Sequence, residues 1–301
     1  MRRIERTVSC LRVSATLRFI LFMRLIRAYH GRTDSHPPTE ELLKIARSFF
    51  VDSSVSGINP LWRGQLFLFD RPQATSYSSQ QGARILAVFV LLEFALRPIL
   101  RAGAGRWGIA GRPWWLLLEM SLLAVLACWL VVWFTRVCLC QLGLYSWSRW
   151  SQIEKLYFPQ IAFISVAVFS FFLSAELKAL WSRHDLWKIG LYVFVPQLMW
   201  GFYQEFLYRG LLQTELVRRW GTLSGILVSN LIFTFGPLHA YHFALARANP
   251  AHLWIFAATF SIGMFFAVLF KRSGNLWIVA FLHGLGDWFI DGLEQVSRMP
   301  R

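Results

Sequence analysis

The sequence predicts an all-α protein: a polytopic, integral membrane helical bundle of about seven spans, with room for an eighth, preceded by an amino-terminal interfacial helical region. Three observations carry this. Of 301 residues, 56% are hydrophobic and only 16% charged, with fifteen Trp and twenty-seven Phe, whereas charged residues make up about a quarter of an ordinary soluble domain. Apolar runs long enough to cross about 30 Å of hydrocarbon at about 1.5 Å per residue recur along the chain. The basic residues behind a formal net charge of +15 lie in the amino-terminal arm and in short connections between runs, where such charge orients a protein in a bilayer. That placement argues against a nucleic-acid partner.

Residues 1–83 stand apart from the multi-span domain at 84–301. The opening segment spaces Arg12, Arg18, Arg24 and Arg27 among Leu, Ile and Phe, which suits a basic helix lying on an anionic surface. Those arginines interrupt the apolar part, and no clear small-residue cleavage site follows, which argues against a cleaved signal peptide. After "SHPP", Leu42, Leu43, Ile45, Ala46, Phe49 and Phe50 form a stripe behind acids in a first turn, an interfacial helix. The polar stretch 71–82 reads as a linker.

Spans follow near 85–101, 114–134, 157–175, 186–203, 221–237, 252–270 and 274–290, the last two joined by the short "KRSGN" turn. Basic residues fall on both sides of any alternating topology, at Arg101, Arg106 and Arg112 and at Arg149, Lys155, Lys271 and Arg272, so charge alone does not fix the orientation. Cys10, Cys128, Cys138 and Cys140 show no disulfide framework and no zinc spacing. The closely spaced pair at 138 and 140 reads as small apolar filler at a span end.

Ionisable groups inside spans are expensive and by default mark function. Three clusters qualify, all in the last third of the chain. In "FYQEFLYRG", Glu205 and Arg209 share a helix face and can pair, Gln204 and Tyr208 share the neighbouring face, and Gly210 offers a weak point. In "FTFGPLHAYH", Gly236 and Pro237 place His239 where a span bends or ends, with His242 further toward the loop. In "FLHGLGDWFID", His283 and Asp287 point the same way, Gly284 and Gly286 permit close helix approach, and Asp291 continues the face toward the interface.

Taken singly, each cluster has a bland reading: an Arg–Glu staple, an interfacial imidazole, or a satisfied polar pair. Together they can polarise water, a carboxylate taking its proton while imidazoles orient it and stabilise an oxyanion. Glu205, His239 and His283 could alternatively bind zinc at an open site, although HExxH is absent. No other cofactor is called for.

These residues resemble the CPBP family of intramembrane proteases, also called CAAX prenyl protease or Abi-like proteins. The family pattern is EExxxR, then FxxxH, then HxxxN or HxxxD on successive membrane helices. It is matched here by Gln204-Glu205 through Arg209, by Phe235 through His239, and by His283 through Asp287, within a core at about 186–290. The resemblance implies a glutamic-type endopeptidase in a cell membrane, in bacteria the inner one. Its partners would be the bilayer and membrane-anchored protein substrates, cut in a carboxy-terminal tail in the manner of the myxosortases. The first glutamate of EExxxR usually serves as base, and here it is Gln204, an amide that cannot accept a proton.

Two assignments follow. Either Glu205 is the base, with Gln204 assisting, His239 and His283 orienting water, Asp287 holding His283 and Arg209 holding Glu205; or the chain is a non-catalytic, binding or immunity-type relative. A transporter or channel is a third class, disfavoured because the polar groups gather near one end of the chain.

Overall fold

The computed structural model describes residues 76–110 and 112–298. They lie within one compact unit, Phe69–Arg301. The arm helices expected before residue 71 lie outside the described residues. Among those that are described, every regular element is a helix and none is a strand.

The first helix, α1, runs Ser79–Val90, widens through a π-helical stretch Leu91–Leu96 and continues as Arg97–Arg106. It begins inside the stretch expected to be linker because Ser78 forms a capping box with Gln81, each side chain accepting the other's backbone N–H. Helix α2 is Pro113–Leu130 with a π-helical end, Val131–Thr135. Helix α3, Gln152–Phe172, starts on a second capping box, Ser151 with Glu154, earlier than the expected span. Helix α4 carries the chain without a break from 186 to 220, so Gly210 does not interrupt it. Helix α5 is Thr222–Phe235 with a bent continuation, α6 is Trp254–Ser273, and α7 runs Leu276–Asp287 and on through Trp288–Gly292 to Leu293–Arg298.

Two of the π-helical stretches have a local cause. Leu91–Leu96 lies just ahead of Pro98, and Gly190–Phe194 just ahead of Pro196. A proline removes a donor and crowds the preceding turn, and a widened turn accommodates both effects within a continuing helix.

Among the described residues, five helices are long and apolar enough to cross a membrane: Trp114–Thr135, Gln152–Phe172, Thr222–Ala248, Pro250–Ser273 and Leu276–Val296. Their outward faces carry residues such as Val125, Phe163, Phe171 and Leu223, all exposed. A solvent-facing helix would place polar groups there, so this is a multi-pass membrane protein. Helix α4 packs against α7, α5 and α2, and its middle is deeply enclosed: Tyr203, Phe206, Leu207, Tyr208 and Arg209 are all fully buried.

The tight turn between α6 and α7 is closed by Gly274 in the left-handed region at φ 61°. Buried Asn275 follows, its Oδ1 accepting Trp277 N–H at 3.1 Å and its Nδ2 donating to Glu154 Oε1 at 3.1 Å. One side chain thus caps α7 and ties it to α3. Asn275→Ala removes a cap and a bond to a charged acceptor, so it should cost about 2 kcal/mol. The expected sign is a lowered unfolding temperature in detergent; an unchanged one would discount this tie. Cys138 and Cys140, expected as separate apolar filler, are joined to each other as a disulfide.

Candidate functional site

The site is built where α4 and α7 cross. Gly201 of α4 and Gly284 of α7 make the crossing close. A Cβ at Gly201 would strike the Gly284 backbone, and one at Gly284 would lie 2.7 Å from Leu198 Cα. Gly286 meets nothing within 4 Å, so Gly284 is the close-approach residue and Gly201, unremarked in the sequence, is its partner. One turn beyond the crossing, α4 presents Gln204 and Glu205, while α7 presents His283 and Asp287. Both helices widen into π geometry immediately afterwards, at Phe206–Gln213 and Trp288–Gly292, as helices often do at functional sites.

Glu205 is wholly buried and both its oxygens are engaged. His283 Nδ1–H donates to Oε1 at 2.6 Å, and Arg209 Nε–H donates to Oε2 at 3.2 Å. An imidazole nitrogen that close to a carboxylate carries the proton, which fixes the ring's orientation and turns Nε2 toward Asp287. The Nε2 to Asp287 Oδ1 distance is 3.7 Å. Gln204 Nε2–H donates to the other oxygen, Asp287 Oδ2, at 3.4 Å.

Arg209, also fully buried, is lodged by three helices. Its Nη2 donates to Gly263 O at 2.9 Å and to Asn230 Oδ1 at 3.5 Å, and its guanidinium lies 4.9 Å from the centre of the Phe233 ring. Asn230 is in turn fixed by donating to Phe260 O at 2.8 Å. The Gly263 site has no room for a side chain, since a Cβ there would meet Asn230 Oδ1. Asn230 and Gly263 escape a reading of charged motifs because one is neutral and the other has no side chain.

His239 stands apart. It follows the end of α5 at Phe235, where Gly236 is extended and Pro237 opens a single 3₁₀ turn, as the sequence leads one to expect. Its Nδ1–H donates to Phe233 O at 2.7 Å, which leaves Nε2 with a lone pair. The Phe233 ring makes edge contacts with both imidazoles, at 4.6 Å from His239 and 6.1 Å from His283 between centroids. His242, expected toward the loop, is instead buried and stacked on His239 at 5.0 Å.

The structure therefore brings together Gln204, Glu205, Arg209, His283 and Asp287, and sets His239 across an aromatic ring. Gln204 and Tyr208 do not pair: Gln204 turns to Asp287, and Tyr208 packs edge-on against Phe89 and Phe233. Among the described residues no three His, Cys, Asp or Glu side chains gather to hold a metal ion, so the alternative zinc set of Glu205, His239 and His283 is not assembled.

The clusters are also not confined to the last third of the chain. In α1, Arg97 donates to buried Glu93 at 2.6 and 3.3 Å, and Arg101 donates to Glu119 of α2 at 2.9 Å. The i, i+4 spacing of Glu93 and Arg97 is a signal that could have identified this pair.

Compared with known protein families, residues 186–289 match the type II CAAX prenyl endopeptidase Rce1-like family, a stretch reaching from the start of α4 into α7. Neither a curated protein nor a solved structure matches the chain.

Proposed function

We infer that this chain, whose residues 186–289 form an Rce1-like type II CAAX prenyl endopeptidase domain, is an intramembrane protease that hydrolyses a peptide bond in or near the bilayer by means of an activated water. The observation that carries this reading is the contact of His283 and Asp287 with Gln204 and Glu205 inside apolar helices. Packing alone does not account for polar groups so costly to bury. The arrangement supplies what amide hydrolysis needs. A carboxylate can take a proton, His239 offers a lone pair at Nε2, and the Gln204 amide can donate to a developing oxyanion.

Helices α1 and α4 are counted as spans beside the five apolar ones, giving seven, because their polar side chains turn inward to Glu93–Arg97 and to the site. The basic segment ahead of α1 serves as an arm on the membrane surface. The substrates are membrane-anchored proteins, cut in a carboxy-terminal tail.

The test is to reconstitute the full chain in liposomes with a library of single-span membrane peptides bearing randomised carboxy-terminal tails, and to read products by mass spectrometry. Cleavage by wild type, falling at least about 100-fold in His283→Ala, is expected. A folded wild type that cuts nothing would favour a second reading, a non-catalytic relative that binds membrane partners, which Gln204 at the position of the family's usual base supports.

A further inference from the structure

We propose that Asp287, rather than Glu205, is the proton acceptor of this site, and that carboxylate and amide have exchanged places between α4 and α7: Gln204 carries the amide and Asp287 the carboxylate. This rests on the protease reading above and assigns the role within it. Four features support it, all geometric.

The two Glu205 oxygens are filled by His283 Nδ1–H and Arg209 Nε–H, and the side chain is 0% exposed. Both oxygens of a carboxylate so held already accept a hydrogen bond, and its complete burial leaves no path for a water to reach the lone pairs that remain. Its work is to position His283. Asp287 differs: its side chain is 18% exposed, its Oδ1 stands 3.7 Å from His283 Nε2, beyond hydrogen-bond range, and its Oδ2 is met only by the long 3.4 Å bond from Gln204. Among the described residues no donor thus lies within hydrogen-bond range of Oδ1, which leaves that oxygen to accept from a water.

The third feature is that Gln204 and Asp287 touch. An exchange of carboxylate and amide between two positions preserves the chemistry only if both face one small volume, and the crossing at Gly201 and Gly284 provides that. The fourth is donor number. The Gln204 amide has two hydrogens, of which one goes to Asp287, so the second remains for the oxygen of a scissile carbonyl.

The step balances without any co-reactant. Asp287 takes a proton from water as the water oxygen bonds to the carbonyl carbon. The carbonyl π pair moves onto oxygen, where Gln204 donates to it. Collapse of this oxyanion breaks the C–N bond, and the proton held by Asp287 passes to the departing amine. The products are a carboxylic acid and an amine, and Asp287 is returned to its carboxylate form.

The experiment presents the library of single-span membrane peptides to the full-length wild type, Asp287→Asn, Gln204→Glu and the double variant in liposomes, with folding of each checked by its unfolding temperature. Asp287→Asn should lower the cleavage rate at least 100-fold. Adding Gln204→Glu to it should bring the rate back to within about tenfold of wild type, because a carboxylate is restored on the opposite wall. Cleavage by Asp287→Asn within about tenfold of wild type would overturn the assignment and leave the Glu205–His283 pair as the base. A double variant that folds yet stays as slow as Asp287→Asn would overturn the exchange. A silent wild type beside an active Gln204→Glu would overturn it too while sparing the protease reading, whereas silence of all four would remove the reading and the assignment together.

Discussion

Arg209→Met is expected to destabilise the folded protein by about 3–5 kcal/mol, the usual cost of leaving one member of a buried ion pair alone. Glu205 and Arg209 are both fully enclosed, so no solvent replaces what is lost. The substitution removes the bond to Glu205 Oε2, the bond to Gly263 O and the cation–π contact with Phe233. Glu205 would keep only His283, and the imidazole would then carry the whole burden of neutralising it. The double variant Glu205→Gln with Arg209→Met should cost much less than the sum of the two single changes, because a matched neutral pair replaces a stranded charge. Denaturant unfolding in detergent micelles measures all four corners of the cycle. A single-variant cost below about 1 kcal/mol would mean that Arg209 is not the anchor of the site, and additivity would mean that the two charges do not act as a pair.

What the sequence makes legible here is local. A run of apolar residues announces a helix that can sit in lipid, and a charge within such a run is conspicuous, which is why Glu205, Arg209, His239, His283 and Asp287 can be picked out from spacing alone. The turn at Lys271 to Asn275 is equally readable, because Gly274 and Asn275 can end one helix and start the next within a few residues. The partnerships are not readable in this way. On a helical wheel Gln204 goes with Tyr208, yet it bonds to Asp287, eighty-three residues away. That pairing depends on the crossing of α4 and α7, and the crossing depends on the absence of a side chain at Gly201, a signal carried by one unremarkable glycine.

The Glu93–Arg97 pair shows a different limit. Both charges lie inside the span expected at 85–101, four residues apart, yet the pair is not singled out there as Glu205 and Arg209 are. In the structure the helix widens ahead of Pro98 and continues, so both charges stay inside. The consequence is functional as well as structural. The π-helical stretch bearing Glu93 packs near the turn that holds His239, and the Tyr208 hydroxyl lies between Glu93 and Gly236 of that turn. Helix α1, outside the matched family domain, thus contributes to the surroundings of the site.

Gly201→Leu should abolish cleavage while Gly286→Ala spares the fold, and the contrast separates two glycines that look alike in sequence. A leucine at 201 must displace the Gly284 backbone, and backbone cannot swing aside as a flexible side chain can. The helices would have to part by more than an ångström. Displacement on that scale costs about 100-fold in rate when reacting groups must meet at hydrogen-bond distance, and the overpacking itself should cost about 1–3 kcal/mol. At Gly286 an added Cβ meets nothing within 4 Å, so alanine there should raise stability by up to about 1 kcal/mol through the helix preference it gains over glycine. The liposome cleavage assay and the unfolding temperature together read both results. If Gly201→Leu folded and cut at the wild-type rate, Gln204 and Asp287 would not need to face each other across this crossing, and the chemistry assigned to them would have to lie elsewhere.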